Sequence, residues 1–112
     1  MALTAEKIAE LEAANGGEVL VLRGKPKSWD VDKTPPWEIV LRKATRGQYK
    51  MWRAATKRSD PDAQENLVIG ICVYPERAVL DALLDKYPSI PEAISEQLGE
   101  WVGMAAEQVG KG

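Results

Sequence analysis

Apolar positions change their period along the chain. In LTAEKIAELEAANGG, Ile8 and Leu11 share one face of a short amphipathic helix, with Thr4 placed to cap its start and Asn15-Gly16-Gly17 to end it. EVLVLR (18–23) and WEIVLRK (37–43) are rich in β-branched and aliphatic residues at strand length. They predict two antiparallel strands, joined by the polar stretch GKPKSWDVDKTPP (24–36). That connection exceeds an ordinary hairpin loop, and loops of such length usually carry function or move. Its aromatic residue, Trp29, reads either as an anchor for a partner or, the preferred reading, as a lid folded back on the core.

Helical spacing takes over after the second strand. Thr45-Arg46-Gly47-Gln48 fits the capping box S/T-x-x-E/Q, which predicts a helix that turns Tyr49, Trp52 and Ala55 inward. Ser59-Asp60-Pro61 stops it and starts the next, with Asp60 as N-cap and Pro61 at the first helical position. The following helix is expected to run from Pro61 to about Val73 as the most buried element. LVIGICVY (67–74) is also β-rich, and Gly70 costs about 1 kcal/mol in a helix, so strand is the rival reading there; the preceding PDAQEN favours helix. Pro75 opens a further helix carrying Val79, Leu80, Leu83, Leu84 and Tyr87 at helical spacing, ended by Pro88. A last helix from about Pro91 aligns Ile94, Leu98, Trp101, Val102 and Ala105, with Gly99 and Gly103 on a neighbouring face, where ordinary close packing is the expected use. The segment EQVGKG that follows is expected to be loose. The predicted fold is α+β: one domain over 1–112, with an N-terminal helix, a small antiparallel hairpin, and a bundle of about four helices over 45–108.

Composition narrows the chemistry. The chain has 112 residues, which suits one domain with its own core. It contains no histidine and one cysteine, Cys72. Nucleophile–histidine pairs and histidine metal sites are thereby excluded, and an internal disulfide cannot form. No phosphate-binding glycine motif or EF-hand loop occurs. Cys72, between Ile71 and Val73 with no neighbouring base or cation in the sequence, reads as packing rather than as a nucleophile. The expectation is a protein without catalytic, cofactor or metal residues. No stretch is apolar over bilayer length, and Met1–Asn15 lacks the pattern of a signal peptide, so a cytoplasmic setting is expected.

Charge supplies the positive signal. Residues 42–58 hold seven basic and no acidic side chains, whereas residues 59–112 hold ten acidic and three basic. Arg46, Lys50, Arg53 and Lys57 follow the i, i+4, i+7, i+11 spacing that places them in one row on a helix. Such a row can grip nucleic-acid phosphates, an acidic partner, or the acidic half of a neighbouring copy; a solvated face is the plain alternative. The sequence pI of about 5.2 argues against a dedicated nucleic-acid binder. The separation of charge suits head-to-tail self-association.

EIVLRKATRGQYKMWRAAT followed by ENLVIGICVYPERAVLDALLDKYPSIPEAISEQLGEWVG resembles the tail assembly chaperones of long-tailed phages, over roughly Trp37 to Ala106. The likeness lies in a strand entering a basic-aromatic helix, an apolar segment ending in Val-Tyr-Pro, ALLDKYPSIPEAI, and a terminal helix containing glycine. The resemblance implies a non-enzymatic protein of the infected cell that coats the tape-measure protein, recruits tail-tube subunits and is absent from the finished tail. It also implies a longer product made by frameshifting near the end of the short form, close to Gly110-Lys111. The residues expected to meet partners are Arg46, Lys50, Arg53 and Lys57 with Trp29 and Trp101, a holdase needing exposed apolar anchors rimmed by charge. The rival readings are a minor tail subunit kept in the particle and a small nucleic-acid-binding module built on the basic row.

Overall fold

A computed structural model describes residues 3–26, 29, 31 and 34–103. The chain forms α1 (Ala5–Ala14), β1 (Leu20–Arg23), β2 (Glu38–Leu41), α2 (Arg46–Lys57), α3 (Ala63–Ile71), β3 (Cys72–Tyr74), α4 (Arg77–Lys86), α5 (Ile90–Ala93) and α6 (Ser95–Trp101). The fold is α+β, with the N-terminal helix and the antiparallel β1–β2 pair where the sequence places them.

Helix α1 starts as expected, the Thr4 side chain accepting the Lys7 N–H at 3.1 Å. It ends at Ala14 with Asn15 as C-cap, and Gly16, whose φ of 75° admits the left-handed turn, follows, while the Gly17 N–H bonds back to the Glu12 carbonyl. No residue of α1 is fully buried. The helix is tethered instead through the chain before it: buried Leu3 donates its N–H to the Glu38 carboxylate, which also pairs with Arg23 across the strands. Burial acts to raise the Glu38 carboxyl, but the Arg23 guanidinium and the Leu3 N–H together hold it below its ordinary value.

The hairpin pairs Leu20 with Leu41 and Arg23 with Glu38, and β2 is the central strand of a sheet ordered β1-β2-β3. Ile39, Val40 and Leu41 are wholly shielded from solvent, because β2 has a strand on either side and helices against it. Just beyond β1, buried Gly24 donates its N–H to the Trp37 carbonyl at 2.9 Å. A Cβ at Gly24 would stand 2.6 Å from Trp37 Nε1, so only glycine permits this approach.

The third strand corrects the sequence reading. Helix is expected to about Val73, yet it stops at Ile71, and Cys72–Tyr74 pairs antiparallel with β2, Leu41 facing Cys72. Pairing with an already buried strand satisfies backbone groups that a longer helix would have satisfied internally, and the β-branched content of the segment favours it. Helix α3 also begins later than expected: Asp62 is its N-cap residue, and Pro61 lies in the preceding turn. Asp60 is therefore not the N-cap; its carboxylate accepts the Asp62 N–H at 2.9 Å within the turn before the helix, and α3 has no side-chain cap.

The remaining helices differ in detail. Helix α4 starts two residues after Pro75, which follows a cis Tyr74–Pro75 peptide, and its Val79 is 44% exposed rather than turned inward. The expected last helix divides at Ile94 into α5 and α6, with Pro91 in the first turn of α5. Ile90, Ile94 and Leu98 from these turns join Ile39, Leu41, Val68, Ile71 and Leu80 in the core. Gly99 is not a site of close packing, since a Cβ there would meet nothing within 4 Å, and Gly103, with φ of 87°, lies just past the helix end. Ala105 and the segment 107–112, including Gly110-Lys111, lie outside the described residues.

The two glycines should respond oppositely to alanine. Gly24→Ala is expected to destabilise by about 1–3 kcal/mol, because the Trp37 ring must move. Gly99→Ala should stabilise by up to about 1 kcal/mol through helix propensity alone. Urea denaturation midpoints read both; a neutral Gly24→Ala would refute the close packing of Gly24 on Trp37.

Candidate functional site

Helix α2 is built to be held on one side and open on the other. At its start the capping box forms in both directions: Thr45 Oγ1 accepts the Gln48 N–H, and Gln48 Oε1 accepts the Thr45 N–H. Gln48 reaches further, its Nε2 donating to the Gly70 carbonyl at 3.1 Å. At its end Ser59 adopts φ of 57°, with the Asp60 N–H bonding to the Ala55 carbonyl and the Ser59 N–H to Thr56. This is a Schellman turn with serine in the left-handed position. Between the ends, Ala55 is buried, and the Trp52 indole N–H donates to Gln64 of α3 at 2.9 Å. Tyr49 and Trp52 lie with ring centroids 5.9 Å apart.

Arg46, Lys50, Arg53 and Lys57 are all exposed. At ~100° per residue they fall within about 60° of arc, roughly opposite Ala55. Among the described residues none of the four has an ion pair; the pairs present are Lys7–Glu10, Arg23–Glu38, Arg58–Asp60 and Arg77–Asp81. The structure therefore brings together the predicted basic row as an uncompensated outer face.

Trp29 and Trp101 are placed quite differently from that row and from each other. Trp29 is 75% exposed, which corrects the preferred reading of a lid over the core. Trp101 is half-buried, gives its indole N–H to the Arg42 carbonyl at 2.9 Å, and carries the Lys43 ammonium 3.9 Å from its ring centroid. Its ring thus closes α6 onto the end of β2.

Two features escaped sequence reasoning. The first is a groove of about 320 Å3 between α2 and α3, floored by Trp52, Ala55 and Leu67 and rimmed by Gln48, Arg58 and Asp60. Met51 stands at its wall, 74% exposed. An exposed methionine inside a basic helix is the sequence signal that could have found it. The second is Arg42, which sequence reasoning counts with the basic segment. Its guanidinium binds the carbonyls of Gly70 and Lys43 and the Gln48 side chain, so it serves the fold and not the open face.

Cys72 is half-buried, and its Sγ lies 3.1 Å from the Tyr74 carbonyl as a donor. Burial pushes its thiol up, away from the reactive thiolate. Among the described residues no group of three or more His, Cys, Asp or Glu is placed to hold a metal, and no helix is long and apolar enough to cross a membrane.

The α+β arrangement is shared with a solved structure. An uncharacterised protein from Bacillus stearothermophilus matches with a TM-score of 0.66 at 19% identity, over 92% of this chain and 98% of that one. At that identity the likeness concerns the fold alone. No family model matches the chain, and no curated protein matches it.

The position of Cys72 predicts slow alkylation. Iodoacetamide at neutral pH should label the native chain at least about tenfold more slowly than the urea-unfolded chain, in line with a buried thiol of raised pKa. Equal rates by mass spectrometry would show a reactive surface thiol instead.

Proposed function

We propose that the chain is a non-enzymatic tail assembly chaperone of a long-tailed phage. In the cytoplasm of the infected host it binds the tape-measure protein, keeps its apolar helices from aggregating, and helps recruit tail-tube subunits. The sequence likeness over Trp37–Ala106 raises this reading. The observation that carries it is the split character of α2: the side toward α3 buries Ala55 and leaves exposed Met51 at an open apolar groove, while the opposite side presents four exposed cations with no ion pair among the described residues. A holdase needs a wide surface of this kind, apolar contacts bordered by charge, rather than an enclosed pocket with tuned acids and bases. Trp29, exposed on the long connection, adds a second apolar contact.

In this reading the client's apolar side chains enter the α2–α3 groove past Met51. Replacing Met51 with Glu puts a charge at the groove without touching the core, since the side chain is mostly exposed already. Co-expression with the tape-measure protein of the same phage is the test. The tape-measure protein should become soluble and co-purify with the wild-type chain, and its recovery should fall about fivefold or more with Met51→Glu, the size expected for losing one well-packed contact. A tape-measure protein that stays insoluble with the chain in excess contradicts the proposal. Detection of the chain in purified virions would replace it with the minor-subunit reading.

A further inference from the structure

The basic row has a counterpart elsewhere in the molecule. Glu92 on α5 and Glu96 and Glu100 on α6 recur every four residues, and all three are exposed. Backbone bonds from Ile94 to Ile90, Leu98 to Ile94 and Val102 to Leu98 carry the helical path across the division between α5 and α6. The glutamates lie on the outer side of that path, since Ile90, Ile94 and Leu98 occupy the core side. No salt bridge engages any of the three among the described residues. At 1.5 Å per residue the carboxylate row spans roughly 12 Å and the cation row of α2 roughly 16 Å, with about one charge per helical turn in each.

We infer that these two rows dock on one another between copies of this chain: the α5–α6 glutamates of one copy lie along Arg46, Lys50, Arg53 and Lys57 of the next. Within one copy none of the four cations pairs with any of the three glutamates, so both rows remain available to other copies. The rows are opposite in sign and similar in spacing, and each repels itself, which excludes contact of either row with the same row of another copy. The contact joins two different rows, so it either closes reciprocally in a two-fold dimer or runs head to tail into a ring or filament. Gly99 lies among the glutamates with open space at its Cβ position, so the row is not screened by a bulky neighbour. This contact needs no client and stands apart from the chaperone reading; each can fail while the other holds.

The chain alone is the probe. By sedimentation velocity the wild type should associate in a concentration-dependent way at ~0.05 M salt and return to the monomer at ~0.5 M, where the screening length has shortened about threefold. R46E/K50E/R53E and E92K/E96K/E100K should each be monomeric at low salt with unchanged circular dichroism. An equimolar mixture of the two should associate again, because the reversed rows complement one another. Should a reversal fail to fold, the corresponding Gln variants take its place and should be monomeric likewise. A wild type that stays monomeric at low salt overturns the proposal, including the case in which its cation row binds duplex DNA. So does association that survives either triple reversal, or a mixture that does not associate.

Discussion

Arg42 joins the sheet to the helices, and the display of α2 depends on that junction. Helix α3 ends abruptly at Ile71 because the chain turns into β3, which leaves the carbonyls of its last turn without intrahelical partners. Arg42 meets two of them: its backbone N–H binds the Ile71 carbonyl and its guanidinium the Gly70 carbonyl, each at 2.9 Å. A cation at a helix C-terminus is favoured by the helix dipole as well as by hydrogen bonding. The same guanidinium holds Gln48 Oε1 at 3.0 Å, and the Arg42 carbonyl receives the Trp101 indole N–H. One residue at the end of β2 thus fixes the end of α3, the start of α2 and the end of α6.

The consequence reaches the surface through rigidity. With Gln48 shared between the capping box, Arg42 and Gly70, the first turn of α2 cannot rotate without breaking all three attachments. Trp52 and Ala55 hold the middle of the helix against α3, and the Schellman turn at Ser59 returns the chain into α3. Side chains on the opposite face are therefore presented in a fixed row, at little cost to the fold, since exposed and unpaired charges contribute little to stability. Of the seven basic residues between 42 and 58, the sequence spacing sets four apart as a row, and the structure gives the other three their roles. Arg42 is spent on the junction, Lys43 on Trp101 and Arg58 on Asp60, while the four cations of the row stay exposed.

What could be read from the sequence was local. The Thr45 capping box, the Thr4 cap, the Gly16 stop and the period of the basic row all depend on residues within a few positions of each other, and all are present as written. Contacts made at a distance were not legible. Strand β3 was the rival reading of LVIGICVY, and the choice was decided by a neighbouring strand some thirty residues earlier, which local propensity cannot weigh. Trp101 looked like a partner anchor because nothing near it in sequence announces the Arg42 carbonyl, 59 residues away. The spacing of Glu92, Glu96 and Glu100, by contrast, was open to reading on the single helix expected from about Pro91, opposite its apolar face.

The role of Arg42 is tested most directly by amide hydrogen exchange on Arg42→Gln, compared with the wild type under conditions where both remain folded. If Arg42 is the shared junction, protection should fall together at the start of α2 around Gln48–Tyr49, at Ile71–Cys72, and at Leu98–Trp101 in α6, while α1 and α4 keep theirs. Loss of protection confined to Ile71–Cys72 would show that Arg42 caps α3 and nothing more, and the presentation of the α2 row would then need another cause.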